Sequence, residues 1–274
     1  MSSVPPPPLP AAGWFPDPWT AGTLRYWDGA AWTGWVAPGP ADHAAPPTLP
    51  VRAGLLGLAV LLGGFVVGLA VSIPLYLLDA PDALLVLAAG LGVYAPVAWY
   101  CRWVSRRDGT GDLGRDLGFR WKPIDLATGL GAWLAATVLQ VAVLVVLQLL
   151  GLPVGTNTDT ISDARDTPAT LVALALLAVL VAPVVEELFF RGLLLRSLRS
   201  RLGPWPAILV QGALFGAIHV QLGVGLENLT VVAALTAVGI VFGFVADQVG
   251  RIGPAIVGHA IFNGVAVAAV IVTG

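Results

Sequence analysis

From Val51 to the end, this chain repeats one feature: apolar stretches long enough to cross a bilayer core of ~30 Å, separated by short connections. They lie near 53–78, 82–104, 124–150, 168–195, 205–222, 229–247 and 254–272, and each is read as a membrane-spanning helix. Composition agrees. Of 274 residues, 57% are hydrophobic and 11% charged, with a mean hydropathy of +0.85, which is too apolar for a soluble domain of this length. The predicted fold is an all-α, polytopic transmembrane bundle of about seven spans over residues 51–274.

The few charges sort by connection. The connection after the second span holds Arg102, Arg106, Arg107, Arg115, Arg120 and Lys122, and the one after the fourth holds Arg196, Arg199 and Arg201. Around Asp79–Asp82, Asp159–Asp166 and Glu227 the only basic residue is Arg165. The positive-inside rule then predicts a cell-membrane protein with a cytoplasmic N-terminus and an outside C-terminus. The opening residues lack the basic and apolar regions of a signal peptide, which fits that orientation. A formal charge of −2 with no basic stripe argues against nucleic-acid binding. Cys101 is the only cysteine, so no internal disulfide framework or cysteine-rich metal site is expected. It sits at the inner end of the second span beside Arg102 and is read as a small interfacial residue.

Ahead of the spans, residues 1–12 and 37–50 are rich in Pro and Ala and read as extended spacers. Between them, residues 13–36 hold five of the ten tryptophans: Trp14, Trp19, Trp27, Trp32 and Trp35. Leu24–Trp27, Asp28-Gly29 and Ala31–Val36 read as a β-hairpin, because Asp-Gly suits a tight turn with positive φ. Stacked indoles would hold it, and alone it would be marginally stable. The pattern GWFPDP, RYWDG, WT resembles a short tryptophan-rich N-terminal module of bacterial membrane proteins. No function comes with that resemblance; the module is either a docking or lipid-surface element or a passive cap.

Chemistry concentrates in VVEELFFRG, residues 184–192, where Glu186, Glu187 and Arg191 interrupt an apolar run. An ionised side chain in hydrocarbon costs several kcal/mol, so such residues are a functional-site hypothesis by default. Glu187 and Arg191, four apart on a helix, share one face; Glu186 is turned about 100° away. One carboxylate thus has a partner in sequence, and the other is left for proton transfer. Two later spans bring further polar groups: Phe215 and His219 in FGAIH, and His259 and Asn263 in HAIFN, each pair one helical turn apart. Polar groups in membrane helices turn toward the bundle interior, so Glu186, His219, His259 and Asn263 are expected to converge there. The depths are awkward: His219 lies about 20 Å along its span from Trp205, whereas His259 is only a turn or so from Pro254. Their meeting requires tilted or displaced helices.

In this order and on separate spans, EExxxR (Glu186, Glu187, Arg191), FxxxH (Phe215, His219) and HxxxN (His259, Asn263) resemble the three motifs of the CAAX protease and bacteriocin-processing (CPBP) family. That family comprises the Rce1-like, or Abi, intramembrane proteases. The likeness covers roughly residues 120–272. It implies an all-helical membrane protease with a chamber open to the cytosol. In such proteases the glutamate and first histidine activate water, while the second histidine and the asparagine bind the oxyanion or complete a metal site.

The residue types fit hydrolysis of a peptide bond on their own. Glu186 is the candidate base; His219 shares that work or holds the water; His259 and Asn263 are candidate oxyanion donors. Glu187 and Arg191 support them. Glu186, His219 and His259 also suit a zinc ion with an open fourth position, although a liganded Glu186 would not be a free base. HExxH is absent, and a metal-free reading explains the same residues. The partners implied are the lipid bilayer and a membrane-associated protein or peptide substrate. Two other readings compete: a scaffold or immunity protein of the same fold, and a proton-coupled transporter, which the lack of an inverted repeat of broken helices disfavours.

Overall fold

A computed structural model describes residues 10–20, 23–38, 48–164, 166–221 and 223–273. Most of the proline-rich spacers, with His43, lie outside the described residues, as does Arg165. The chain divides into two compact units, Met1–Pro47 and Thr48–Gly274.

The first unit is a three-stranded antiparallel sheet, β1 (Gly13–Pro16), β2 (Thr23–Trp27) and β3 (Trp32–Pro38), in the order β1-β2-β3. The expected hairpin is β2–β3, with Trp27 opposite Trp32. Its turn runs over four residues, with Gly29 at φ +100° and Asp28 Oδ1 accepting from the amides of Ala30 and Ala31. β1 adds an edge strand beyond the predicted hairpin, and β3 runs to Pro38, into the expected spacer. The indoles meet edge to face rather than stacked: Trp27 and Trp19 approach Trp32 at 5.4 and 6.3 Å. That geometry sets the positive ring edge against the negative face. Asp17 ties the strands by accepting from Arg25 Nε (3.1 Å) and the Trp19 amide (2.9 Å). Burial pushes its carboxyl up, but these donors outweigh burial and hold it below the usual range.

The second unit is a helical bundle. Its elements are α1 (Val51–Leu77), α2 (Asp82–Asp108), the short α3 (Leu113–Asp116), α4 (Asp125–Leu149) and α5 (Asp159–Asp163). There follows one long rod, Pro168–Leu202, then α9 (Pro204–Ala217), α10 (Glu227–Val249) and α11 (Gly253–Thr273). The rod comprises α6 (Pro168–Leu176), a π-helical turn Leu177–Val181, α7 (Ala182–Glu187), a second π segment Leu188–Leu194 and α8 (Leu195–Leu202). Among the described residues, six helices are long and apolar enough to cross a membrane: α1, α2, α4, the rod, α10 and α11. The outer faces of α1 and α4 carry exposed Leu62, Val66, Leu69, Val138 and Val146, a surface suited to lipid and costly in water. This is a multi-pass membrane protein.

The fifth expected span, 205–222, is corrected. Only Pro204–Ala217 is helical, and 14 residues at 1.5 Å each fall well short of the hydrocarbon core. The stretch after it remains apolar, which is why hydropathy carries the span onward; irregular backbone follows the helix, with Gly223 at φ +82°. Non-helical backbone at that depth is tolerated where protein buries or satisfies it. Asn228 does so here, accepting from the Gln221 amide (2.8 Å) and donating to the carbonyls of Gln221 and Val224.

The basic connections gather at one end of the bundle. Arg251 grips Asp125, Arg196 donates to the Gly250 carbonyl (2.7 Å), Arg199 pairs with Asp247 (2.8 Å), and the Ile252 amide donates to Gly118. The opposite end joins the Pro153–Thr158 connection to α10, where Thr230 donates to the Pro153 carbonyl and accepts from the Gly155 amide. α10 is central: 56% of its apolar window is buried, against 11% for α4. α9 reaches it closely because glycine faces glycine. A Cβ on Gly239 would lie 2.9 Å from Gly212 Cα, closer than side chains pack.

Candidate active site

The carboxylates sit in a short α-helical turn between two π segments, and Pro183 accounts for the first of these. In the π turn the Ala182 amide bonds the Leu177 carbonyl, five residues back. The next bond in that series would need an N–H from residue 183, which proline lacks. The Ala178 carbonyl is thereby left over, and Asn263 Nδ2 donates to it at 2.7 Å from α11. Sequence-distant Asn263 is thus drawn to the rod by a proline-made gap three residues before Glu186. π-helical turns inside α-helices occur frequently at functional sites.

Glu187 is fully buried, and its Oε1 takes two donors: Arg191 NH1 at 2.8 Å and His259 Nδ1 at 2.9 Å. The pairing of Glu187 with Arg191 along one helix face is as the sequence predicts. Arg191 is equally buried. Its guanidinium lies 4.5 Å from the Phe215 ring, with Phe242 and Phe190 at 5.7 and 5.9 Å, and its NH2 donates to the Gly239 carbonyl at 3.2 Å. Aromatic faces and a carbonyl replace the water that a buried cation forfeits.

Because a carboxylate only accepts, His259 donates through Nδ1–H, and in the neutral tautomer with that proton Nε2 is an acceptor. Nε2 faces Glu186 Oε2 at 3.9 Å. That oxygen has no hydrogen-bond partner among the described residues, while Glu186 Oε1 accepts from the Tyr94 hydroxyl at 2.9 Å. Two acceptors thus confront each other across a gap that one water, ~2.8 Å from each, would bridge by donating both its protons.

His219 lies in the turn just past α9, and its Nδ1 bonds the Phe215 carbonyl at 2.7 Å. Phe215 resolves the expected mismatch in depth. Its ring touches His219 (5.0 Å) and His259 (5.7 Å), so the two histidines flank one aromatic spacer. Glu186, Glu187, Arg191, Phe215 and His259 therefore form one contiguous cluster, with His219 joined through Phe215 and Asn263 one turn of α11 beyond His259. Among the described residues, no group of three His, Cys, Asp or Glu side chains is placed to hold a metal ion, so Glu186, His219 and His259 are not assembled as a coordination set.

Two residues escape the motif pattern. Tyr94 lies midway along α2, and a tyrosine at that depth needs a hydrogen-bond partner, which is a usable signal. Gln211 precedes Phe215 by four residues and His219 by eight, on the stripe that the FxxxH motif marks. It is buried and donates to the Gly239 carbonyl at 2.8 Å, the atom that also receives Arg191.

Fold and site together define a polytopic helical membrane protein with a buried Glu, His and Arg cluster. Residues 168–265, the stretch carrying all three motifs, match the family described as type II CAAX prenyl endopeptidase Rce1-like. The chain thus bears an Rce1-like region, as its motifs indicate. Residues 12–46 match a protein family of unknown function, DUF2510, which covers the tryptophan-rich module. No curated protein and no solved structure matches the chain.

Proposed function

We propose that the protein is an intramembrane endopeptidase of the CAAX type, hydrolysing a peptide bond in a membrane-associated protein or peptide. The observation that carries this reading is the unpartnered Glu186 Oε2 facing His259 Nε2 at 3.9 Å inside the bundle. A water held between these acceptors has its lone pair directed outward, toward a carbonyl carbon. As its oxygen attacks, Glu186 Oε2 takes one proton and later returns it to the leaving amine. His259 Nε2 orients the water, while Glu187 fixes its tautomer through Nδ1–H. This role differs from the oxyanion donation that the family resemblance implies for the second histidine.

Asn263 spends one amide N–H on Ala178 and keeps the other for the developing oxyanion. His219, with Nδ1 committed to Phe215, offers Nε2 to share the proton traffic at the substrate side. The end bearing Arg196, Arg199 and Arg251 is assigned to the cytoplasm on the positive-inside rule, which places the C-terminus of α11 outside.

Purified full-length protein in detergent, given a quenched peptide library, is expected to cleave, and Glu186→Ala and His219→Ala to stop it. Cleavage that survives both substitutions would sink the enzyme reading. These steps use only side chains of the chain itself. Metal content of the active protein, with rates before and after chelation, decides whether zinc contributes to them.

A further inference from the structure

The hydrogen bond between Tyr94 and Glu186 joins residues 92 apart in sequence, and Tyr94 lies outside the matched region, since α2 precedes residue 168. We propose that Tyr94 is a positioning residue of the hydrolytic centre: its hydroxyl holds Glu186 Oε1 and so reserves Oε2 for the proton of the attacking water. This rests on the endopeptidase reading.

The terminal torsion of a glutamate is broad and nearly two-fold, so an unrestrained carboxyl presents either oxygen to its surroundings. Here the two oxygens are made inequivalent. Oε1 accepts from Tyr94 at 2.9 Å, and Oε2 is left bare toward His259 Nε2. The groups around the carboxyl come from three elements. Tyr94 belongs to α2, His259 to α11, and Glu187 with Arg191 to the rod itself, with those two engaged to each other. Among the described residues, Tyr94 is therefore the side chain that donates to Glu186.

Tyr100 gives the internal contrast. It lies on the same helix, six residues on, and its hydroxyl donates to the Ala53 carbonyl of α1 at 3.0 Å. That bond fastens two helices and touches nothing reactive. Tyr94 instead spends its hydroxyl on the candidate base.

The experiment compares wild type with Tyr94→Phe, which keeps the ring, on the most rapidly cleaved quenched peptide from the library. Loss of a fixed carboxyl orientation is expected to lower kcat about 10- to 100-fold with KM unchanged. A second readout needs no turnover: the infrared carboxylate bands that Glu186→Gln removes from the protein in detergent are expected to shift in Tyr94→Phe, because Oε1 has lost its donor. An unchanged kcat with unshifted carboxylate bands would overturn the role of Tyr94. Shifted bands in a protein whose wild type cleaves no peptide would uphold the hold of Tyr94 on Glu186 and remove the endopeptidase reading instead.

Discussion

Acids are buried in two places in the bundle, and they are treated differently. At the basic end, Asp116 and Asp125 have both oxygens engaged. Asp116 accepts from the Ser105 hydroxyl, the Thr110 amide and hydroxyl and the Gly111 amide, and Asp125 from Arg251 and the Lys122 amide. In mid-bundle, Glu186 and Glu187 each keep one oxygen without a partner among the described residues. A buried acceptor left unmade costs about 1–3 kcal/mol, so the chain has every reason to fill it where structure is the sole purpose. Saturated acids fasten the helix ends, and under-bonded acids retain the capacity to accept a proton.

The sharpest way to break that contrast is to remove the capacity at Glu186 while keeping its shape. Glu186→Gln is expected to lower peptide cleavage by roughly 10²–10⁴-fold, with thermal unfolding in detergent little changed. Retained cleavage would erase the distinction between the two regions. Next comes Arg191→Met, which strands Glu187 without its cation in a site that both residues fill completely. Breaking such a buried pair costs about 3–5 kcal/mol. A large fall in melting temperature is expected, together with lost cleavage, and a melting point like wild type would mean that the aromatic cage does not depend on the guanidinium.

Asp125→Asn sharpens the comparison from the saturated side. It weakens the grip on Arg251 and is expected to cost about 2 kcal/mol of stability, while the rate per folded molecule stays near wild type. A selective loss of kcat would show the basic end coupled to the reaction. The smallest effect is an acid limit. Burial pushes the Asp116 carboxyl up, but its Ser105, Thr110 and Gly111 donors outweigh burial and hold it below the usual range. Its stabilising contribution is complete above the unfolded value of about 3.9 and is lost as pH falls through the lower folded value. Asp116→Asn is expected to lose that contribution near neutrality, lowering stability there, and to flatten the curve in the acid window where wild type gives it up; an identical acid limb in both proteins would contradict this.

Much of this molecule is legible in the sequence because lipid imposes a simple length rule. The spans expected at 53–78, 82–104, 124–150, 229–247 and 254–272 fall within a few residues of α1, α2, α4, α10 and α11. Hydropathy overextends α9 because Ile218, Val220, Val224 and Leu226 stay apolar where the helix has already stopped. It measures solvent preference and is silent about backbone pairing. The π segments are invisible to it for the same reason, although Pro183 marks one of them. Of the adjacent glycines in α1, Gly64 meets the Val93 backbone, whereas a Cβ on Gly63 would have nothing within 4 Å. The pairing of Glu187 with Arg191 is anticipated by spacing; the hydrogen bond of His259 to Glu187 is not, since the sequence sets His259 beside Glu186, and neither is Tyr94, because no local rule links positions 92 apart.

The two π segments also set the phase of the long rod. Each wide turn inserts residues relative to ideal α-winding, and each inserted residue rotates the downstream part of the helix by about 100°. The face that Glu186 presents and the face from which Arg196 and Arg199 reach Gly250 and Asp247 are thus clocked to each other by those turns. In engineering terms, the stretch 188–194 is a length-encoded gear. Exchanging one apolar side chain for another of similar volume keeps the clocking. Deleting a single residue swings the basic end of the rod away from its anchors, even though the apolar composition that marks the span is preserved.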